Sequence, residues 1–115
     1  MSTKVSFYED VTDTKGNTSF LPGIMSDIQN GRHKKRIEWL RNIKSEAEKK
    51  KFKNSLPCFT GAGVFKERNE KGLLEHSGRI VFDFDKLQNI EEVKQELIND
   101  PYFEYLFLSC SATGL

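Results

Sequence analysis

Only two cysteines, Cys58 and Cys110, occur in the 115 residues. That is too few for a disulfide framework, so both read as reduced, inert thiols of a cytoplasmic protein. Two histidines, His33 and His76, lie far from each other and from the cysteines, which leaves a zinc site without ligands. No apolar run approaches the roughly 20 residues needed to span a bilayer. The start, MSTKVSFYED, lacks the charged-then-apolar order of a secretory signal, so no membrane partner is expected. There is no G-x-x-x-x-G-K-[ST] and hence no P-loop helicase within these residues. Ser–His–Asp hydrolysis has no nucleophile motif to support it. Internal repeats and low-complexity tracts are absent too. What is present, 37% hydrophobic and 30% charged residues, suits one domain, residues 1–115, with a modest core.

Net charge is +1, but it is unevenly spread. Residues 32–56 hold ten Lys and Arg against three Glu, a local +7, and the remainder is −6. Such asymmetry fits a polyanionic partner, and equally a solvated helix face with basic ends.

Residues 4–8 alternate as a short strand, with Val5 and Phe7 on one side. Residues 9–31 are polar and turn-rich and read as an irregular connection, with a helical turn starting at Ser26 (Ser26-x-x-Gln29 fits a capping box). The spacing of Ile37, Leu40, Ile43 and Ala47 predicts one main helix over residues 32–51, with Trp39 at the edge of its apolar stripe. Residues 56–60 form a second strand. Residues 63–65 and 73–76 pair as a hairpin whose charged tip is 66–72, and Ser77-Gly78 turns into a strand at 79–85. Asn89 and Glu92 cap a helix that Pro101 terminates. Residues 105–109 form a last strand. The order is β-α-β-β-α-β, an α+β fold of the ferredoxin or RRM-like split type, with an antiparallel sheet and helices on one face.

Within that order the stretch IVFDFD, Ile80 to Asp85, is the third core strand and lies beside the first. Alternation puts Ile80, Phe82 and Phe84 on the helix side and Asp83 and Asp85 together on the open face, about 6–7 Å apart. On the last strand, Leu106, Leu108 and Cys110 suit the helix side, while Tyr105, Phe107, Ser109 and Ser111 suit the open one. Two carboxylates on one strand can bind a hard divalent cation and through it clamp a triphosphate. They can also sit where a strand surfaces and pair with Arg79, Lys86 or water.

A wider array surrounds this pair: Lys53-x-x-Leu56-Pro57, Gly63-x-Phe65, His76-Ser77-Gly78-x-Ile80-x-x-Asp83-x-Asp85, Asp100-Pro101-Tyr102 and Ser109-x-Ser111-x-x-Gly114-Leu115. Over about residues 35–115 it resembles the primase-like domain at the N-terminus of VirE-type proteins of phages and mobile elements. That domain is itself similar to the catalytic palm of archaeo-eukaryotic primases. The resemblance implies a primase-polymerase role in starting DNA replication, with Asp83 and Asp85 as catalytic ligands of Mg²⁺ or Mn²⁺. It implies nucleotide binding by Ser109, Ser111 and Gly114, with a nucleoside triphosphate, a single-stranded DNA template and a helicase domain or protein as partners. His76 joins the nucleotide site as a candidate, or caps its own turn. Lys50, Lys53 and Arg68 are candidates for nucleic-acid contact, or belong to solvated surface. Ala112 stands where the family motif has its first glycine. The basic residue and third carboxylate that follow in the family lie beyond Leu115, so the domain is expected to be truncated and inactive by itself. Two other readings stay open: a non-catalytic RRM-like module using Tyr105 and Phe107, and a degenerate domain serving assembly.

Overall fold

The computed structural model of the chain describes residues 3–110, 112, 114 and 115. It is an α+β structure of small antiparallel sheets and helices, in two compact units, Met1–Val81 and Phe82–Leu115.

In the first unit, β1 (Lys4–Tyr8) is the middle strand of a three-stranded sheet, flanked by β2 (Asn17–Phe20) and β3 (Cys58–Thr60), both antiparallel to it. Val5, Ser6 and Tyr8 are fully buried. Helix α1 (Leu21–Gln29) follows β2 directly and brings Leu21 and Ile24 onto Val5, with Phe7, Met25, Ile28 and Phe59 around them. The expected irregular connection over 9–31 thus contains a strand and a helix. Pro22 in the first helical turn and apolar residues at 21, 24, 25 and 28 explain the helix. It begins five residues before Ser26, which lies in its interior rather than at its cap.

The helix expected over 32–51 is two helices, α2 (Lys34–Asn42) and α3 (Glu46–Lys53). Ile43 is extended, and Ser45 caps α3 by accepting a hydrogen bond from the Glu48 amide at 3.4 Å. Ser45-x-x-Glu48 is a capping box, and its acids sit favourably at the helix N-terminus. Leu40, on α2, is fully buried.

The hairpin forms as the spacing predicts: β4 (Gly63–Phe65) pairs with β5 (Leu73–His76), and a 3-10 turn, Glu70–Gly72, closes its tip. The hairpin is stitched to β1 by a side chain rather than a ladder. The buried Ser6 hydroxyl oxygen accepts from the Phe65 amide at 2.8 Å.

The loop between β1 and β2 is organised by two aspartates. Asp10 accepts from the Thr12 amide and hydroxyl. Asp13 accepts from the amides of Glu9, Lys15 and Gly16. These bonds, the Thr12 hydroxyl first for Asp10 and the Gly16 amide first for Asp13, hold both carboxyls below the usual carboxylate value. A lowered folded-state value stabilises the fold above about pH 4 and is lost as pH falls through it. Asp13→Ala is therefore expected to lower the Tm at pH 7 and to flatten its acid limb below pH 4. A thermal-melting series from pH 2 to 7 checks this, and an acid limb as steep as the wild type's would contradict it.

In the second unit, α4 (Ile90–Ile98) starts at Asn89 and stops before Pro101, as the sequence predicts. Asn89 does not cap a backbone amide; its side-chain amide donates to Glu92 Oε2 at 3.4 Å instead. Residues 79–85 and 105–109, expected as the third and last core strands, carry no strand assignment. The split β-α-β-β-α-β order with IVFDFD beside the first strand is therefore not seen among the described residues. Apolar alternation makes a segment fit a sheet, but a strand exists only where a partner offers its amides and carbonyls. Ile80 (79% exposed) and Phe82 (59%) consequently remain at the surface instead of packing under helices, while Phe84 is half-buried. The alternation survives locally: the Phe82 and Phe84 rings stack with centroids 6.2 Å apart, and Phe103 lies 6.1 Å from Phe82. Leu106 and Cys110 are half-buried, while Leu108, Tyr105 and Phe107 are exposed.

No helix among the described residues is long and apolar enough to cross a membrane.

Candidate functional site

Asp83 and Asp85 are both exposed and flank the half-buried Phe84. The backbone between them is latched to the Ser–Gly motif. The Phe84 amide donates to the Leu115 carbonyl at 3.0 Å, and the Leu115 amide returns the bond to the Phe84 carbonyl at 2.9 Å. This reciprocal pair is the narrow unit of an antiparallel ladder. Gly114, the one buried described residue of the second unit, makes the closest approach. A Cβ built there would sit 1.9 Å from the Phe84 carbonyl oxygen and 3.2 Å from Asp85 Cα, so only glycine fits.

The motif folds back on itself to present that glycine. The Ala112 amide donates to the Ser109 carbonyl at 2.9 Å, the Ser109 amide to the Gly114 carbonyl at 2.8 Å, and the Gly114 amide to Ser109 Oγ at 3.1 Å. Ala112 turns with φ +63°, the left-handed region that favours glycine. Lys86, directly after Asp85, has φ +52° and turns the chain out of IVFDFD. Asp83, Asp85, Ser109 and Gly114 thus come together within one unit. Ser111 lies outside the described residues.

The other expected site residues belong to the first unit. His76 ends β5, where its Nδ1 accepts from the Gly78 amide at 2.8 Å and caps the turn at Ser77-Gly78. Ser77 ties that turn to the start of the hairpin, its hydroxyl donating to the Gly61 carbonyl at 2.7 Å. Lys50 and Lys53 are exposed in the last turn of α3, a favourable place for cations. Arg68 is engaged in holding the fold. Its guanidinium donates to the Val11 carbonyl and to Cys58 Sγ, and lies 4.9 Å from the centroid of the Tyr8 ring. The Val11 amide in turn donates to the Asn54 carbonyl, next to Lys53. Burial pushes the Cys58 thiol up despite the adjacent Arg68 guanidinium, which keeps the sulfur protonated.

Asp83 and Asp85 are the residues that would hold Mg²⁺ or Mn²⁺, as two hard oxygen donors in reach of solvent. Among the described residues no group of three His, Cys, Asp or Glu side chains gathers into an all-protein cage. Two carboxylates match Mg²⁺ in particular, which keeps several waters and accepts phosphate oxygens to complete its shell.

Neither a curated protein nor a solved structure matches the chain. A family match covers residues 51–115, from within α3 through IVFDFD to Gly114 and Leu115, and on that match the chain belongs to the BT4734-like N-terminal domain family.

Proposed function

We propose that the chain is a primase-polymerase-like domain of a phage or mobile-element replication protein, binding a nucleoside triphosphate through a divalent metal for nucleotidyl transfer. The observation that carries this reading is the latch between the two motifs. Exposed Asp83 and Asp85 flank the residue whose backbone bonds to Leu115 and whose carbonyl Gly114 touches. A carboxylate pair alone is an ordinary surface feature. A carboxylate pair whose backbone is fixed to a Ser–Gly turn is held in one place, where a bound cation would meet phosphate oxygens.

Asp83 and Asp85 would hold the cation, which when bound offsets their repulsion toward phosphate and polarises the phosphoryl oxygens. The bonds between Ser109 and Gly114 hold that Ser–Gly turn in place. A template strand and a helicase partner complete the expected setting, in the cytoplasm.

Calorimetric titration of a nucleoside triphosphate with and without Mn²⁺ tests the reading. Binding is expected to be at least about tenfold tighter with the metal, given the several kcal/mol a cation contributes at a phosphate site. Equal, weak binding under both conditions would sink it. The exposed Tyr105 and Phe107 support a second reading, an RRM-like module that stacks bases without metal. Metal-independent single-strand binding abolished by Phe107→Ala would favour that module.

A further inference from the structure

We propose that the groove between α2 and α3 binds single-stranded DNA, with Trp39 as the surface on which a base stacks and the surrounding lysines as phosphate contacts. Trp39 is 66% exposed, although tryptophan buries more apolar area than any other side chain when a core is available to it. It opens onto a groove of about 420 Å³ lined by Ile43, Glu48, Lys51, Phe52 and Ser55 as well as Trp39. The walls are tied together, because Arg36 on α2 donates through Nη2 to the Ser55 carbonyl, just past α3, at 2.8 Å.

Charge selects the occupant. The groove lies within the +7 segment, with exposed Lys51 in the lining itself; in the chain, exposed Lys35 stands one helical turn before Trp39 and exposed Lys44 next to Ile43. Among the described residues neither Arg32–Asp27 at 3.0 Å nor Lys34–Glu38 at 3.9 Å engages Lys35, Lys44 or Lys51, and these three lysines make no ion pair. Glu48 is the one acid in the lining. An apolar, aromatic floor with Lys51 beside it, in a segment of net charge +7, matches a ligand with π-faces and a polyanionic backbone. A single strand offers unstacked bases to an aromatic face, whereas a duplex hides them. Trp39 and Ile43 precede the residues matched by the family, and the groove contains none of the proposed metal ligands. This site is therefore additional to the metal site and requires no metal.

The test is direct because Trp39 is the only tryptophan in the chain. An oligo(dT) is titrated in EDTA and low salt, following both Trp39 fluorescence and the anisotropy of a labelled strand. Binding is expected to quench the fluorescence. Trp39→Ala is expected to weaken binding by about tenfold, within the range measured for one stacked base, and Trp39→Phe to recover most of the loss. Lys51→Gln is expected to shallow the log–log salt slope by about 0.7. Binding without quenching, or equal affinity in Trp39→Ala, would overturn the proposal. So would an acidic peptide or a duplex of the same length binding as tightly as the single strand. Since EDTA removes the metal-dependent reaction, failure here leaves the nucleotidyl-transfer reading standing, and failure of that reading leaves this one.

Discussion

Gly114→Ala is expected to destabilise the second unit by about 3 kcal/mol, the combined effect of overpacking and of losing a reciprocal backbone pair. The added methyl would overlap the Phe84 carbonyl oxygen, 1.9 Å away, and backbone cannot yield as the end of a flexible side chain can. Relief requires the 109–114 turn to withdraw, which breaks both Phe84–Leu115 bonds. Hydrogen exchange reads the outcome residue by residue. Protection at the Phe84 and Leu115 amides is expected to fall by about 100-fold, or to vanish if it starts below that, since every ~1.4 kcal/mol is tenfold. Ala112→Gly supplies a contrast of opposite sign. At φ +63° an alanine is strained by about 1–2 kcal/mol, and glycine's extra unfolded-state freedom cancels only part of that. Protection in this variant should rise by a factor of about 2, the equivalent of roughly 0.5 kcal/mol. Unchanged protection in Gly114→Ala would show that the turn does not depend on the close approach.

The contrast also marks what the sequence made legible. β1, the β4–β5 hairpin with its charged tip, and α4 follow from local signals: alternation, a turn cluster, and a start and stop. The interruption between α2 and α3 was equally visible, in Ser45-x-x-Glu48, but an apolar stripe running through Ile43 and Ala47 masked it. α1 was hidden for a different reason. Its core-facing residues, Leu21 and Ile24, flank Pro22-Gly23, a turn signal, and the turn-rich composition of 9–31 outweighed their spacing. IVFDFD shows the limit of periodicity. The side-chain pattern of a strand is present, and Phe82 stacks on Phe84 as alternation demands, yet among the described residues Phe84 alone has a ladder-like partner, in Leu115. At the candidate site the two aspartates were readable as an exposed pair. The docking of Gly114 on Phe84 joins residues thirty apart, which no local pattern encodes.

Asp83→Ala combined with Asp85→Ala is expected to weaken metal-dependent triphosphate binding by about 100-fold or more, bringing it to the level of the wild type in EDTA. Both side chains are exposed, so the double variant should fold normally, within about 0.5 kcal/mol per substitution. The stronger test is the sign of the change without metal. Two carboxylates close to a triphosphate repel it by roughly 0.5–1 kcal/mol each at high dielectric. Removing them should make metal-free binding a few-fold tighter than in the wild type, while metal-supported binding collapses. A variant that had merely unfolded would lose both. Single Asn replacements separate the two positions: each keeps the side-chain volume, removes one charge, and leaves the latch at Phe84 intact because that latch is made by backbone. If either aspartate alone carries the cation, its Asn variant should reproduce the double variant and the other should not. If both ligate, each single variant should fall between. Retention of full metal-dependent binding by the double variant would remove Asp83 and Asp85 from the site altogether, and the carboxylate pair in IVFDFD would then be surface charge that the alternation of the segment happens to expose.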